Sequence, residues 1–248
     1  MNASTDGETP RPVKAAAFLF PAADPSAAGV VAFEIRGGAS PELLFPEERE
    51  RMARAVEGRV REFAAGRACA RAGLATLGFA PAPLLSGADR APQWPSGVCG
   101  SISHTEGYCI AVVASTQRCA GIGVDAELVG RVRADLWRTT MRPEEIEWLN
   151  GLDEPLRAPS ATILFGAKEA FYKCQHSLTR AWVGFDDVCV QLGEGVDASA
   201  EQGTFEIAVV GELPAYGDLP RRLTGRFARD GEVMLAAVMM DAVISPGS

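Results

Sequence analysis

The apolar residues between Ser160 and His176 recur at steps of three and four, which predicts an amphipathic helix. Its apolar stripe contains Ile163, Ala167, Ala170, Phe171 and Cys174. Glu169 and Lys173 are four residues apart and share another face, and Lys168 lies about 100° round from Glu169. One helix therefore offers a carboxylate and two ammonium groups beside a buried stripe. Taken alone, such a group is typical of an exposed Glu–Lys pair.

Other apolar runs are short and rich in β-branched residues, which predicts strands. The predicted strands are Ala15–Phe20, Val30–Ile35, Tyr108–Ala114, Ala120–Glu127, Val183–Leu192, Phe205–Val210, Leu223–Ala228 and Val233–Met240. Asp230-Gly231 between the last two is a hairpin signal. Residues 1–13 are polar and contain prolines, and we predict that this tail is disordered.

Three further helices are expected before the first one described. A helical pattern opens at Pro46 and stops near Gly78, with a break at Gly58. A short helix covers Pro143–Leu149, whereas Leu128–Met141 is predicted to be irregular. The fold class is therefore α+β, with helices and an antiparallel sheet in each half. We place the halves at residues 14–120 and 121–248.

Composition narrows the class of protein. The chain has 248 residues with 47% hydrophobic content, enough for one large domain or two of about 120 residues each. A net charge of −8 makes nucleic acid a poor partner. The six cysteines form no C-x-x-C pair and there are only two histidines, which argues against a structural zinc site. No apolar run approaches membrane-spanning length, and the run Ala15–Phe20 is too short for a signal peptide, so we expect a cytoplasmic protein without a membrane partner. We also expect a monomer.

Two acidic residues stand two apart in a predicted strand. Asp125 and Glu127 therefore leave the same face of Ala120–Glu127, and Glu169 can supply a third carboxylate from its helix. Oxygen ligands without His or Cys suit magnesium, with manganese as an alternative. A divalent ion and a phosphorylated substrate between these carboxylates and Lys168 or Lys173 would form a phosphoryl-transfer site.

A basic set lies in the helical pattern that follows Pro46. Arg67 and Arg71 are one turn apart, and Arg59 is about two turns before Arg67. From this segment alone the set is equally well interpreted as a solvated face or as a cradle for an anion.

Three motifs in order resemble the signature of a known family. They are Gly123-Val-Asp-Ala-Glu127, Phe165-x-Ala-Lys-Glu-Ala-Phe-Tyr-Lys173 some forty residues later, and the upstream Trp94-Pro95 with Ser101-Ile-Ser-His104. Together with Trp182-Val-Gly-Phe185, they resemble the 4′-phosphopantetheinyl transferases, in the longer, pseudo-dimeric branch. That branch activates siderophore, non-ribosomal-peptide and polyketide synthases.

The resemblance implies a reaction and a set of roles. Such enzymes move the phosphopantetheine arm of coenzyme A to a serine of an apo acyl or peptidyl carrier protein and release adenosine 3′,5′-bisphosphate. By position, Asp125, Glu127 and Glu169 would hold magnesium, and Glu169 would also accept the serine proton. Phosphate contacts would come from Lys168, Lys173, Ser103 and His104, with Arg59 and Arg67 on the 3′-phosphate. The implied fold is two similar halves related by a pseudo-two-fold axis, with coenzyme A bound by residues 14–120, the metal by residues 121–248, and the active site between the halves.

One position departs from the family pattern. The usual Gly-x-x-Gly-x-Pro reads Gly87-Ala-Asp-Arg-Ala-Pro92 in this chain. The basic residue commonly found beside the missing glycine is displaced to Arg90, and whether Arg90 contacts a phosphate stays open.

Two rival functions use the same residues. A magnesium-dependent phosphohydrolase of coenzyme A or a nucleotide needs only the three carboxylates and access for water. A coenzyme A-binding or carrier-binding module without turnover is the other alternative, although such a module has no need of all three carboxylates.

Overall fold

A computed structural model describes residues 9–21, 29–194 and 197–242. Tertiary contacts divide the chain into two units, which consist mainly of Pro21–Ala120 (unit 1) and Gly121–Met240 (unit 2). Each unit has its own sheet and its own apolar core. The α+β class predicted from the sequence is confirmed.

Unit 1 is a four-stranded sheet covered by a long helix. Its strands are β1 (Arg11–Pro12), β2 (Val30–Arg36), β3 (Val98–Thr105) and β4 (Tyr108–Ser115), in the antiparallel order β1-β2-β4-β3. The helices before β3 are α1 (Ala16–Leu19), α2 (Pro46–Arg51) and α3 (Glu57–Thr76). The face of α3 that packs on β2 and β4 is built from alanine and glycine. A Cβ on Gly73 would lie 2.5 Å from Val113 Cγ2, so the small residue sets the close spacing of helix and sheet.

Unit 2 combines a five-stranded sheet with three helices. The chain runs through β5 (Cys119–Leu128), α4 (Ala134–Thr140), α5 (Pro143–Gly151), α6 (Glu154–Thr179), β6 (Val188–Leu192), β7 (Gln202–Val209), β8 (Arg222–Asp230) and β9 (Val233–Asp241). The strand order is β5-β9-β8-β7-β6. The predicted stripe of α6 is buried in the core of this unit, where Phe171 packs near Tyr216.

The first twenty residues differ from the prediction. Residues 1–8 lie outside the described part, but Arg11 and Pro12 pair with β2 instead of belonging to a disordered tail. The Arg11 guanidinium lies 2.9 Å from the buried Glu34 carboxylate, and this ion pair fixes β1. The predicted strand over Ala15–Phe20 is wrong, since α1 begins at Ala16. Alanine is the strongest helix former, and the strand pairing has already ended when the chain reaches it.

Two helix boundaries also need correction. The break between α2 and α3 falls at Met52–Val56 rather than at Gly58, which lies in the first turn of α3. Leu128–Met141 is not wholly irregular, because it contains α4. This helix is held by tertiary packing: Trp137 is buried, and its indole Nε1 donates to the Val132 carbonyl at 3.1 Å. Seven residues are too few for periodicity to reveal such a helix.

No helix in the described part of the chain is both long enough and apolar enough to cross a membrane.

Candidate functional site

In unit 2, β5 lies directly against α6 because two positions in the strand have no side chain. A Cβ on Gly123 would lie 1.9 Å from the Ala170 carbonyl oxygen, and one on Gly121 would lie 2.9 Å from that of Cys174. Any larger residue would push the strand away from the helix. The motif Gly-x-Gly therefore sets the distance between the carboxylates of β5 and those of α6.

Asp125, Glu127 and Glu169 share one electrostatic environment. Burial raises the pKa of Glu127 to about 7, and the negative charges of Asp125 and Glu169 add to that rise. Burial also raises the pKa of Glu169, with Asp125 contributing in the same direction and Lys173 opposing it. The predicted carboxylate trio is thus brought together within unit 2, at an energetic cost that a cation would offset.

Lys173 is the cation that balances this trio. Its ammonium lies 2.6 Å from Oδ1 of Asp125, which is only 3% exposed, and it also donates to the Val124 carbonyl at 3.3 Å. Within the described residues, no three acidic, histidine or cysteine side chains already converge as metal ligands. The available donors are oxygens of three neighbouring carboxylates, which is the chemistry that magnesium prefers. The predicted ligand set stays a prediction.

The Lys168 ammonium is buried against protein groups, whereas its predicted phosphate contact would need it to face a substrate. Its side chain is 2% exposed, and its ammonium lies 2.6 Å from Oε2 of Glu145 and 3.0 Å from the Phe185 carbonyl oxygen. Burial lowers the pKa of Lys168, and Glu145 opposes this effect. The phosphate contact is untested, and in this structure the ammonium belongs to a buried network.

Glu145 is the centre of that network, and sequence reasoning missed it. Its Oε2 also accepts from the Arg142 backbone N–H at 2.7 Å, and its Oε1 accepts from the Val190 N–H at 2.8 Å. One buried carboxylate therefore joins α5, α6 and β6. The only signal in the sequence is an acidic residue in the first turn after Pro143, which is also common in exposed helices.

A small cavity of about 110 Å³ adjoins α6. Its charged lining comes from Lys168 and Glu169, and most of the other lining residues are aromatic or aliphatic, among them Tyr172, Trp182 and Phe185. The Trp182 side chain is 78% exposed and packs edge-on against the Tyr172 ring. An apolar ligand arm could therefore reach Glu169 from solvent.

Unit 1 contains a larger cavity of about 660 Å³ with a cationic lining. Its charged and titratable lining groups are Arg51, Arg54, Arg59, Arg67, Arg90, His104, Cys109 and one acid, Glu62. The Arg59 guanidinium donates to Nε2 of His104 and lies 3.2 Å from Glu62. The structure thus brings Arg59, Arg67, Arg90 and His104 to one cavity, which favours an anion cradle over a solvated face.

Arg67 lines the cavity, but most of its guanidinium group is already in contact with protein groups. It donates from Nε to the Leu84 carbonyl at 2.7 Å and from Nη2 to Oγ of Ser86 at 2.9 Å, and it stacks on the Phe63 ring. Burial lowers its pKa to about 10, so it remains charged at neutral pH. Arg71, by contrast, pairs with the buried Glu48 at 2.8 Å and lies outside the cavity lining.

Ser103 and two further arginines complete the comparison with the prediction. Ser103 is buried in β3 and is not among the cavity-lining residues, whereas its neighbours Ile102 and His104 are. Its proposed contact with coenzyme A therefore has no support from the lining. Arg51 and Arg54 line the cavity but were not predicted, because they lie at the end of α2 and in the turn after it, where charges are usually solvated.

Comparison with known proteins covers both units. The 4′-phosphopantetheinyl transferase N-terminal domain matches residues 47–114, and the 4′-phosphopantetheinyl transferase superfamily matches residues 121–210. The 4′-phosphopantetheinyl transferase Svp of Streptomyces mobaraensis is 39% identical over 206 residues, which are 81% of this chain and 80% of that protein. The chain belongs to the 4′-phosphopantetheinyl transferase superfamily.

Other members of this superfamily match over different lengths. The 4′-phosphopantetheinyl transferase Npt of Nocardia iowensis is 38% identical over 196 residues, 77% of this chain and 87% of its own length. Enterobactin synthase component D of Salmonella typhi is 32% identical over 146 residues, 58% of this chain and 60% of its own length. The family predicted from the three motifs is therefore confirmed, including relatives with a siderophore-synthase name.

Proposed function

We propose that this protein transfers the 4′-phosphopantetheine arm of coenzyme A to a serine of an apo acyl or peptidyl carrier protein, giving adenosine 3′,5′-bisphosphate as the second product. The observation that carries the proposal is the contact of β5 with α6, which gathers Asp125, Glu127, Glu169 and Lys173. Both units match the transferase superfamily, which supports the same reaction.

The roles follow from the local chemistry. Asp125, Glu127 and Glu169 would hold magnesium, which when bound neutralises charge on the phosphate oxygens of the substrate. The serine Oγ forms a bond to the β-phosphorus of coenzyme A while the bond to the bridging oxygen of the leaving bisphosphate breaks. Glu169 accepts the serine proton, directly or through water, and its raised pKa makes it a better base than an ordinary glutamate.

Lys173 has two possible partners in this reaction, the Asp125 carboxylate and a phosphate of the substrate. It pairs with Asp125 in the metal-free protein. With a cation beside Asp125, its ammonium no longer has to neutralise that carboxylate and can contact a substrate phosphate. The buried Asp125 charge is then compensated in both states, by Lys173 without the cation and by the cation when it is bound.

The substrate also needs a site for its nucleotide. We propose that the cationic cavity of unit 1 takes the 3′-phosphate of coenzyme A, since arginines outnumber acids in its lining. One coenzyme A molecule would then use residues from both units.

The proposed function is tested by measuring the mass of a carrier protein after the reaction. Incubation of the protein with coenzyme A, Mg²⁺ and an apo-carrier should add one phosphopantetheine arm per carrier serine and release adenosine 3′,5′-bisphosphate. Asp125→Ala and Glu127→Ala should lower this activity by several orders of magnitude. Glu201→Ala is the control, because Glu201 is an exposed acid just before β7, and it should keep the activity. Chelation of the metal with EDTA should stop wild-type transfer, and excess Mg²⁺ should restore it.

The rival functions predict other products. Hydrolysis of coenzyme A with an unmodified carrier would indicate a phosphohydrolase. Binding of coenzyme A or carrier without any new product would indicate a module without turnover. Full transfer by Asp125→Ala at ordinary Mg²⁺ would refute the metal assignment.

A further inference from the structure

Two cysteine thiols are in contact inside unit 1, beside its cationic cavity. Cys69 lies on α3 and Cys109 on β4, and both side chains are buried in the same apolar cluster. The Cys69 thiol hydrogen-bonds to the Cys109 sulfur, and this bond, together with burial, raises the pKa of Cys69. Cys69 therefore keeps its proton at neutral pH and is the donor in this contact. Neither thiol has a role in the proposed transfer reaction.

The close approach of α3 to β4 places the two sulfurs side by side. Gly66, Cys69 and Gly73 recur at steps of three and four, so they share one face of α3. A Cβ on Gly66 would lie 3.5 Å from Sγ of Cys109, and one on Gly73 would lie 2.5 Å from Val113 Cγ2. The helix backbone is therefore close to the strand both before and after Cys69. A disulfide needs such closely spaced backbones and a sulfur–sulfur distance of about 2 Å, which a small shift of two touching thiols can reach.

Of the two thiols, Cys109 is the one that a small molecule can reach. It is among the residues that line the cavity of about 660 Å³, whereas Cys69 lies behind it and is fully buried. The lining of this cavity is rich in arginine, and Arg67 is near enough to the Cys109 sulfur that Cys109 opposes the lowering of the Arg67 pKa by burial. Reactive cysteines occur in electropositive, accessible surroundings of this kind. Cys109 is therefore placed to meet an oxidant first, with Cys69 beside it.

The other cysteines of the chain offer a comparison. Cys99 and Cys119 are also neighbours, since Sγ of Cys99 donates to the Cys119 carbonyl at 3.3 Å, but both are buried and neither is among the residues that line the cavity. Cys174 is buried in the core of unit 2. Cys189 is partly exposed, but among the described residues the groups that raise or lower its pKa, with Glu145 foremost after burial, include no other cysteine. A touching thiol and access from a cavity occur together at Cys69 and Cys109.

We propose that Cys69 and Cys109 form a redox-active pair that hydrogen peroxide converts into a disulfide. The Cys109 sulfur attacks one peroxide oxygen, the O–O bond breaks, and Cys109 becomes a sulfenic acid as one water leaves. The Cys69 sulfur then bonds to the Cys109 sulfur, the S–O bond breaks, and the departing hydroxide takes the Cys69 proton and leaves as a second water. Two thiols are oxidised and one peroxide is reduced. The disulfide joins α3 to β4 in the wall of the cavity, and its formation does not depend on the proposed function.

Thiol counting and peptide mass spectrometry test the pair. Folded wild-type protein is treated with hydrogen peroxide and then denatured, and its free thiols, six in the reduced chain, should fall by two. A digest without reductant should contain the peptide of Cys69 joined to that of Cys109, and dithiothreitol should restore all six thiols. Cys109→Ser should keep all its remaining thiols. Cys99→Ser and Cys189→Ser are the controls, because they remove cysteines outside the pair, and both should form the same link as wild type.

The order of the two steps is tested with dimedone, which traps sulfenic acids. Cys69→Ser should leave a sulfenic acid on Cys109 that dimedone labels, whereas Cys109→Ser should give no label on Cys69. An undiminished number of free thiols in peroxide-treated wild type, or a link between other cysteines, would overturn the inference, and neither result requires a variant to fold. A dimedone label on Cys69 in Cys109→Ser would overturn the assigned order. Failure of reduced wild type to modify a carrier would refute the proposed function separately.

Discussion

At the scale of single residues, Glu127 is held in a folded environment that disfavours its charge. Its pKa is raised from 4.5 to about 7, so the folded protein binds this proton more tightly than the unfolded chain does. The stabilisation from the bound proton is complete below pH 4.5 and is lost as the pH rises through about 7. Without metal, the ionised Glu127 therefore destabilises the protein at pH 8.

The prediction is that Glu127→Gln melts at a higher temperature than wild type in EDTA at pH 8, and that the difference disappears near pH 4.5. Mg²⁺ should reverse the order at pH 8, because wild type gains a ligand that the variant binds poorly. Differential scanning calorimetry measures both proteins in all three conditions, and Glu201→Gln serves as the control. A variant that melts no higher than wild type at pH 8 in EDTA would contradict the account.

Asp125 should behave in the opposite way, although it belongs to the same trio. Its carboxylate is the partner of Lys173, at 2.6 Å and largely buried. Asp125→Asn removes the carboxylate that pairs directly with that ammonium, and we expect the variant to melt at a lower temperature than wild type in EDTA. The same scans measure this, and a melting temperature at or above the wild-type value would show that Lys173 finds another acceptor.

At the scale of elements, the close contact of β5 and α6 depends on two glycines, and Gly123 makes the closer approach. Gly123→Ala would place a Cβ 1.9 Å from the backbone oxygen of Ala170, which cannot move without the helix. We expect loss of several kcal/mol of stability and of transfer activity, comparable to severe overpacking. Gly58→Ala is the matched control, because nothing lies within 4 Å of its Cβ position and the change should be neutral or stabilising. Urea unfolding measures both.

The Glu145–Lys168 pair tests whether a predicted phosphate ligand has a structural role. Glu145→Leu should cost about 3–5 kcal/mol, because it leaves a buried ammonium without its carboxylate partner. Lys168→Met should cost less, since two backbone N–H groups still donate to Glu145. The double variant Glu145→Leu/Lys168→Met should regain part of the stability, giving a non-additive cycle by urea unfolding. Additive losses would show that the pair does not interact.

Activity of that double variant decides the remaining role of Lys168. A KM for coenzyme A within a few-fold of the wild-type value would support a purely structural role for its ammonium. A large rise in this KM, with stability regained, would support the phosphate contact predicted from the sequence.

The elements themselves show what periodicity can predict. The strand that carries Asp125 and Glu127 and the helix that carries Glu169 follow from the alternation and the three-to-four spacing of apolar residues, so the acidic trio could be predicted. Helix α4 could not, because a buried indole and its hydrogen bond to Val132 hold it. The position of the loop that brings Arg90 to the cavity could not be predicted either, because Arg67, in a helix well before it in the chain, anchors this loop. Contacts between residues far apart in the chain leave no period in the sequence.

At the scale of the whole molecule, net charge limits how a carrier is recruited. The chain carries −8, and the resemblance to the family implies carriers that are acidic around their serine. We therefore expect docking to rest on a local patch with a basic rim rather than on long-range attraction between net charges. Trp137 and Met141, two apolar residues of the arginine-rich segment after β5, are buried and cannot form its centre. Leu136, which is 45% exposed on α4, can take that place between Arg133 and Arg138.

We therefore predict that Arg138→Glu and Leu136→Asp raise the KM for the apo-carrier by about ten-fold and leave the KM for coenzyme A nearly unchanged. Arg222→Glu is the matched control, because it changes the net charge equally at an exposed position of β8 and should alter neither constant. Steady-state kinetics with each substrate in turn measures both. If the α4 variants keep the wild-type carrier KM and Trp182→Ala raises it, the carrier docks on the exposed indole after α6, and the α4 assignment is wrong.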